Sequence, residues 1–340
     1  MRVGMLAPIS WRVPPRHYGP WELVVSLLTE GLVERGVDVT LFATADSVTS
    51  ARLDAICPQP LMEHPDMDAK VWESLHIANA FEKAVELDLI HNHYDFLPLT
   101  YSGLVTTPVV TTIHGFSSDR IRPVYRRYDG RVHYVSISDA DRDPSLHYLA
   151  TVYHGIDLSE FTVREEAGRG LVFLGRIHPD KGTAEAIEVA RAVDLPLVIA
   201  GIVHDRRYFE EEIAPHLDGD RVRYVGSVGP RDRDALLGSA LASLHLVQFA
   251  EPFGLSMIES MACGTPVIAR RRGSVPEVVD EGVTGFVVDD VAGAIEAARK
   301  VGALDRRRVR ARAAERFSRD RMVDEYLRVY ERVLAGAHVA

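Results

Sequence analysis

The sequence predicts an α/β protein with two Rossmann-like, doubly wound domains that face each other across a cleft. Three observations predict this architecture. The chain has 340 residues with 46% hydrophobic content, which is enough to form two compact cores. Short β-rich runs alternate with longer amphipathic stretches, a pattern typical of parallel sheets. The alternation restarts after a polar, glycine-containing stretch at 164–170.

The first domain is predicted to span residues 1–160. It opens with a strand candidate at Met1–Leu6, a helical segment at Trp21–Arg35 and a second strand candidate at Val37–Ala43. Its later strand candidates are Leu89–His91, Val109–Ile113, Val132–Ser136 and Thr151–Tyr153. Helical patterns separate several of these runs, so the strands are expected to be parallel.

The second domain is predicted to span residues 161–318. It begins with a strand candidate at Leu171–Leu174, a helix at Thr183–Ala192 and a strand at Leu197–Ala200. Its later strand candidates are Val222–Val225, Ala242–Val247, Pro266–Ala269 and Gly285–Val287. Beyond it, Arg319–Ala335 has apolar residues at mostly helical spacing and is predicted to form an amphipathic terminal helix.

Composition disfavours several classes of partner and location. The formal net charge of -10 argues against nucleic acid binding, which requires clustered basic side chains. No stretch approaches the roughly 20 apolar residues that a membrane helix needs, so we expect a soluble chain without a transmembrane segment. Cys57 and Cys263 are lone thiols far apart in the sequence, which fits a reducing cytoplasm.

The most informative motif lies between Gln248 and Ala269, where a loop leads into a helix and then a strand. Glu251 and Glu259 stand eight residues apart in it. The backbone N–H groups of residues 254–256 lie at the predicted helix N-terminus, which carries about half a positive charge and favours bound phosphate. An isolated pair of glutamates would be read as ordinary solvated acids, but the surrounding pattern favours a functional site.

These residues resemble the retaining glycosyltransferases of family 4, which have the GT-B fold and the signature E-x7-E within E-P-F-G-L-x-x-x-E-x-x-A-x-G-x-P-V. The resemblance implies that Glu251 lies against hydroxyls of the donor sugar and that Glu259 accepts hydrogen bonds from the ribose. It also implies that the terminal helix packs on the first domain. The donor-binding residues expected on this basis are Gly19, Gly175, Gly201, Val228, Phe253, Gly254, Leu255, Ser256 and Glu259. The resemblance continues through 135–138, 152–157, 273–277 and 317–318 and so spans nearly the whole chain.

A second motif, Phe173–Gly182, places Arg176 and Lys181 on a glycine-flanked loop after a strand. It is similar to the G-R-x-x-x-x-K-G loop of the family. Preorganised cations stabilise the negative charge that develops on a departing nucleoside diphosphate, so they can replace a metal ion. We therefore expect both residues to be catalytic and the enzyme to need neither a metal nor another cofactor.

Histidines end two strand candidates of the first domain, where the carboxyl ends of strands line a ligand crevice. His114 resembles the family histidine that approaches the donor sugar and is the fourth expected catalytic residue. His91 and His93 are interpreted as scaffold groups, with zinc ligation as the alternative.

The loop Pro14–Glu22 resembles the family Y-G-G-x-E loop, which covers the donor phosphate. Gly19 can bring its backbone close to a phosphate. Pro20 replaces the second glycine of the motif and removes one backbone donor.

The resemblance implies transfer with retention of anomeric configuration and without a covalent nucleophile. The candidate base-binding stretch Arg223–Val228 has no carboxylate to pair with guanine, which favours UDP and, nominally, UDP-glucose. GDP-mannose is the alternative donor, and a non-catalytic nucleotide-sugar-binding protein is the alternative function. A nicotinamide-dependent oxidoreductase is disfavoured because no G-x-G-x-x-G follows the first strand. The acceptor, a small molecule, glycan or lipid, is expected at 47–68 and 116–129.

Overall fold

The computed structural model describes residues 1–166 and 168–337. The chain forms two compact units. The first contains residues 1–155 together with the C-terminal helix that begins at Arg319, and the second contains residues 156–318.

A seven-stranded parallel sheet forms the centre of the first unit. Its strands are β1 (Arg2–Leu6), β2 (Asp38–Phe42), β3 (Arg52–Asp54), β4 (Leu89–Asn92), β5 (Val109–Ile113), β6 (His133–Ser136) and β7 (Tyr148–Thr151). They are arranged in the order β3-β2-β1-β4-β5-β6-β7. The last residue of β1, Leu6, pairs with Phe42 on one side and Asn92 on the other. The strand order therefore reverses between β1 and β4, the kind of position where such sheets bind ligands.

Three α-helices lie between strands of this sheet in the chain. They are α1 (Pro20–Glu34) after β1, α2 (Ala69–Glu82) after β3 and α3 (Arg122–Tyr128) after β5. Apolar residues on both faces of the sheet are buried, since the consecutive residues Met5 and Leu6 of β1 point to opposite faces and are both 0% exposed. Burial on both faces explains why β1 is a nearly continuous apolar run after its first residue.

A six-stranded parallel sheet forms the centre of the second unit. Its strands are β8 (Leu171–Leu174), β9 (Leu197–Ala200), β10 (Val222–Tyr224), β11 (Ala242–His245), β12 (Val267–Arg270) and β13 (Gly285–Val288). Its helices are α4 (Thr183–Ala192), α5 (Arg206–Tyr208), α6 (Pro230–Gly238), α7 (Leu255–Ala262), α8 (Val275–Val278), α9 (Val291–Lys300) and α10 (Arg306–Phe317). The order β10-β9-β8-β11-β12-β13 reverses between β8 and β11.

The terminal helix, α11 (Arg319–Ala337), packs on α1 of the first unit. A Cβ added at Gly31 would lie 2.4 Å from Cγ2 of Val323, so a glycine in α1 lets the two helices approach closely. The side chains of α11 that are buried include Met322, Val323, Tyr326, Val329, Tyr330 and Val333. Their spacing of three or four residues forms one apolar face, as the sequence pattern indicates.

Several predicted bounds agree with the structure, including those of β5, β8, β9 and α4. The strand predicted at Thr151–Tyr153 is wrong, because β7 ends at Thr151, which pairs with Ser136. The pairing of β6 with β7 shifts register between Tyr134 and Val135, and such an irregularity at a sheet edge leaves no clear sequence pattern. The edge strand β3 was not predicted, since three residues are too few to show alternation.

No helix within 1–166 or 168–337 combines the length and the apolar character needed to cross a membrane.

Candidate active site

Two loops of the second unit leave adjacent strands at the point where the sheet order reverses. The loop after β8 carries Arg176 and Lys181, and the loop after β11 carries Glu251. The backbone joins the two loops, because the N–H of Gln248 donates to the carbonyl of Asp180 over 2.7 Å. The fold therefore brings together three side chains that the sequence predicts to be catalytic, at the edge where doubly wound sheets bind ligands.

The centre of this site is a buried ion pair. Lys181 Nζ donates to Glu251 Oε2 over 2.9 Å, and the two side chains are 18% and 9% exposed. The same ammonium lies 4.4 Å from the ring centroid of Phe249, a cation–π contact. Burial by itself would raise the pKa of Glu251, but the adjacent His245 ring and the charge of Lys181 lower it to about 2. Glu251 is therefore a carboxylate at neutral pH.

His245 belongs to this site although the sequence prediction did not include it. Its Nε2 lies 3.2 Å from Glu251 Oε2, and its Nδ1 lies 3.4 Å from Ser256 Oγ. It is the last residue of β11. A histidine at the end of a strand is the same sequence signal that indicates His91 and His114 in the first domain, and it would have indicated His245 here.

The loop around Glu251 is held by its backbone. The Glu251 carbonyl accepts a hydrogen bond from the N–H of Ser274 over 2.9 Å, and the Ser274 hydroxyl donates to the carbonyl of Phe253 over 3.0 Å. Gly273 has φ +55°, and a Cβ there would lie 2.3 Å from the Glu251 carbonyl oxygen. Phe253 is 2% exposed, and its ring packs edge-on against Phe317. Its side chain therefore anchors the loop within the unit.

The N-terminus of α7 directly follows this loop. Gly254 precedes the helix with φ 87°, and no side chain caps it. The first N–H groups of a helix have no intrahelical acceptor, and the helix dipole adds positive potential there. The N–H groups of Gly254, Leu255 and Ser256 are therefore in the part of the fold that suits a phosphate.

Arg176 has a different partner from Lys181. Its Nη2 lies 3.1 Å from Asp180 Oδ2, and His178 Nδ1 lies 2.7 Å from the other oxygen of that carboxylate. Asp180 thus neutralises part of the charge of Arg176. The cluster was not apparent from the sequence, where Asp180 is only one of many acidic residues.

Glu259 lies on α7 and forms an ion pair with Arg233 of α6. The two side chains are 5% and 17% exposed, and the charge of Glu259 raises the pKa of Arg233. The sequence prediction assigned Glu259 to the donor ribose and did not identify Arg233. Their 26 residues of separation leave no local pattern that would connect them.

The remaining predicted donor-binding residues of this unit lie in loops that follow strands. Gly201 has φ 144°, and a Cβ there would lie 1.8 Å from the carbonyl oxygen of Gly175. These two glycines therefore permit a close approach of the loops after β8 and β9. Val228 is half-buried in the connection between β10 and α6.

In the first unit, the predicted phosphate loop leads into α1. Gly19 precedes the helix with φ 151°, and a Cβ there would lie 2.8 Å from Pro15 Cβ. Pro20 is the first helical residue, where the missing N–H costs no helical hydrogen bond and the fixed φ suits the helix. The substitution within the family motif therefore suits the start of α1, but it still removes one donor that a phosphate could use.

Glu22 lies in the first turn of α1 and is 3% exposed. Its Oε1 accepts a hydrogen bond from the Trp11 N–H over 3.2 Å. Burial is the main cause that raises the pKa of Glu22 to about 7, and backbone hydrogen bonds oppose it.

His114 lies directly after β5 and is 6% exposed. Trp21, the second residue of α1, stacks on its ring with a centroid distance of 5.2 Å and an interplanar angle of 20°. His91 and His93 are fully buried and hydrogen-bonded to other side chains. Within the described part of the chain, no three His, Cys, Asp or Glu side chains are placed to hold a metal ion.

Two family models match the chain. Residues 158–316 match the model described as Glycosyl transferases group 1, and residues 22–160 match the model described as Glycosyltransferase Family 4. Together they cover residues 22–316, which include most of both units and every predicted site residue except Gly19.

A curated relative and two solved structures extend these matches. Phosphatidyl-myo-inositol mannosyltransferase of Mycolicibacterium smegmatis is 28% identical, covering 100% of this chain and 95% of the relative. Sucrose-phosphate synthase from Thermosynechococcus elongatus is similar in fold, with a TM-score of 0.81, 19% identity and coverage of 99% and 100%. The Anabaena protein HepE, solved with UDP-glucose, has a TM-score of 0.73, 18% identity and coverage of 97% and 99%.

Proposed function

Since this chain belongs to glycosyltransferase family 4, we propose that it transfers a sugar from a nucleoside diphosphate donor to an acceptor with retention of anomeric configuration. Its two parallel sheets with helices form the two-domain α/β fold of the GT-B glycosyltransferases. The observation that carries the proposal is the buried Lys181–Glu251 pair beside the N-terminus of α7.

Each group of this site has a task in such a transfer. The N–H groups at the start of α7 bind the distal phosphate, and Lys181 with Arg176 stabilises the charge that develops as the glycosidic bond breaks. Glu251 stays ionised, since its pKa is about 2, so it accepts hydrogen bonds from sugar hydroxyls and stabilises an oxocarbenium-like sugar. Glu259 binds the ribose.

In the proposed mechanism, the acceptor attacks the face of the sugar from which the diphosphate departs. The departing phosphate oxygen takes the acceptor proton, so no covalent nucleophile is required. The protein supplies positioning and charge stabilisation. We propose that His114 also contacts the donor sugar.

We propose UDP-glucose as the donor. The stretch Arg223–Val228 lacks a carboxylate for guanine, and the similar protein HepE was solved with UDP-glucose. A GDP-mannose donor is the second candidate, because the matched mycobacterial relative is a mannosyltransferase. Calorimetric titration with UDP, GDP and NADH tests both. Tighter binding of UDP than of GDP supports UDP-glucose, the reverse order supports GDP-mannose, and binding of NADH alone contradicts the glycosyltransferase proposal.

We also propose that no metal ion assists the transfer, since Lys181 and Arg176 occupy the loop that would face the diphosphate. Addition of a chelator is expected to leave donor consumption unchanged. Loss of activity with the chelator, followed by recovery with Mg²⁺ or Mn²⁺, would contradict the assignment of these cations.

The acceptor is proposed to bind at 47–68 and 116–129 of the first unit, which contain β3 and α3. A screen of sugars, phosphorylated small molecules and lipids with labelled UDP-glucose tests this, because a product identifies the acceptor class. Cys57 and Cys263 are free and buried, which supports a cytoplasmic location.

A further inference from the structure

Four buried histidines of the first unit form a continuous hydrogen-bonded series that ends on the C-terminal helix. His93 Nδ1 lies 2.8 Å from His114 Nε2, and His93 Nε2 lies 3.2 Å from His91 Nδ1. At the other side of His114, its Nδ1 lies 3.3 Å from His154 Nε2. We call these residues, His91, His93, His114 and His154, the histidine chain. Each of them is at most 6% exposed.

Two tyrosines of α11 anchor one end of the histidine chain. His91 Nδ1 lies 2.7 Å from the Tyr330 hydroxyl, and His91 Nε2 lies 2.8 Å from Thr112 Oγ1. Thr112 Oγ1 in turn lies 2.7 Å from the Tyr326 hydroxyl. Tyr326 and Tyr330 are one helical turn apart, so they present both hydroxyls on the same face of α11. Both are fully buried.

The rings of the histidine chain are neutral. Burial lowers the pKa of His91, His93 and His114 well below the ordinary value and lowers the pKa of His154 to about 3. A neutral imidazole has one N–H donor and one acceptor nitrogen.

Neutral rings in contact through their nitrogens must adopt opposite roles, one donating and one accepting. If His93 Nδ1 donates to His114 Nε2, then the proton of His114 is on Nδ1 and points to His154. If His114 Nε2 donates instead, then its Nδ1 accepts from His154. The direction of this hydrogen bond also decides whether His93 Nε2 accepts a proton from His91 Nδ1 or donates one to it. One direction therefore fixes the tautomers of all four rings together.

We propose that His91 and His93, anchored by Tyr326 and Tyr330, are positioning residues that fix the ring orientation and the tautomer of His114. The contribution of His114 to sugar transfer, on which this inference rests, is the one proposed above. The contact between His114 Nδ1 and His154 Nε2 is the longest in the histidine chain. His114 Nδ1 therefore gives up the weakest of these hydrogen bonds when it binds a donor-sugar hydroxyl instead. The direction of the chain then decides whether Nδ1 offers that hydroxyl a proton or a lone pair.

The test is ¹⁵N NMR of the histidine rings in the full chain, with His114 assigned by its loss in His114→Gln. Wild-type protein is expected to show one tautomer of His114. His93→Phe is expected to abolish that preference, and Tyr330→Phe to shift the tautomer ratio about 2- to 10-fold, as expected for one lost hydrogen bond. Tyr330→Phe removes only a hydroxyl, so it keeps the test decisive if His93→Phe does not fold.

Two matched controls separate this role from general destabilisation. His76 is fully buried in the same unit and bonds to the Ala7 carbonyl, outside the histidine chain. Tyr134 is fully buried and donates to the Tyr125 carbonyl. His76→Gln and Tyr134→Phe are expected to leave the His114 resonances unchanged. Unchanged resonances of His114 in Tyr330→Phe, and in His93→Phe where that variant folds, would overturn the proposal.

A kinetic measurement adds the functional consequence. His93→Phe is expected to lower kcat for UDP-glucose consumption about 10- to 100-fold, by analogy with partners that orient metal-bound histidines, with little change in KM. Equal kcat in His93→Phe and wild type would contradict the proposed role in transfer. If the wild-type protein does not consume UDP-glucose, the donor proposal fails, while the NMR result still decides the tautomer claim.

Discussion

Glu251 and Glu259 belong to one sequence signature, but each has its own cationic partner. Glu251 is paired with Lys181 in the loop, and Glu259 is paired with Arg233 on a neighbouring helix. The first pair lies where the sugar and diphosphate are proposed to bind. The second pair lies farther along α7. We therefore expect its loss to affect donor binding and stability rather than cleavage of the glycosidic bond.

These positions predict different effects of two isosteric substitutions on turnover, UDP affinity and stability. Glu251→Gln is expected to lower turnover about 10²- to 10³-fold, the range for loss of one preorganised charge-stabilising group, with a smaller effect on UDP affinity. Glu259→Gln is expected to weaken UDP binding and to lower the free energy of unfolding by about 1–3 kcal/mol, because Arg233 loses its partner. Steady-state kinetics, UDP calorimetry and urea unfolding measure these effects. Undiminished UDP affinity in Glu259→Gln would refute the assigned role.

Glu22 predicts a pH dependence of stability. Its pKa rises from 4.5 in the unfolded chain to about 7 in the folded protein, mainly through burial. The folded state therefore binds the proton more tightly, so this contribution is complete below pH 4.5 and is lost as the pH rises toward 7. Glu22→Gln keeps an acceptor for the Trp11 N–H and is expected to remove this decline in stability. At pH 8 its free energy of unfolding is expected to exceed that of wild type by roughly 3 kcal/mol. Urea unfolding at pH 5 and pH 8 measures it. An equal fall in the free energy of unfolding between pH 5 and pH 8 in wild type and Glu22→Gln would contradict this assignment.

The segment from β11 through α7 is the part of the site that the sequence predicts best. Its glycine, proline and glutamate spacing predicts the loop, the helix N-terminus and a functional role for Glu251. The contacts of His245 with Glu251 and of Arg233 with Glu259 were not predictable, because each joins residues from different elements. The stacking of Trp21 on His114 likewise depends on how α1 packs beside β5.

The start of α7 predicts a specific effect of a small substitution. Gly254→Ala would strain the backbone at φ 87° and would place a methyl group 2.4 Å from Met257 Cε. The first turn of α7 is expected to shift, and UDP affinity to fall at least about tenfold, as the N–H groups lose their orientation toward phosphate.

Gly219→Ala is the matched control for this substitution. Gly219 has φ +78°, with no atom within 4 Å of an added Cβ. It is expected to cost only the backbone strain, about 1–2 kcal/mol of stability, and to leave UDP affinity unchanged. Equal UDP affinities in Gly254→Ala and Gly219→Ala would contradict the phosphate site at α7.

Both units of the chain have the same sheet topology. In each unit, the first three strands are added in one direction from the first strand, and the next strand pairs with the other edge of the first strand. The restart of this pattern after residues 164–170 was visible in the sequence, since each buried parallel strand is a short apolar run. The return of α11 to the first unit follows from contacts such as that of Val323 with α1, which link residues far apart in the chain.

The proposal that this chain catalyses transfer from a nucleotide sugar is tested by the rate of UDP release from UDP-glucose in the presence of the acceptor mixture. Wild-type protein is expected to release UDP, and Lys181→Ala to release it about 10²- to 10³-fold more slowly. Lys300→Ala, which removes a lysine that lies over Phe286 elsewhere in the same unit, is expected to match wild type. If folded Lys181→Ala releases UDP as fast as wild type, or if wild-type protein consumes neither UDP-glucose nor GDP-mannose, the claim is contradicted.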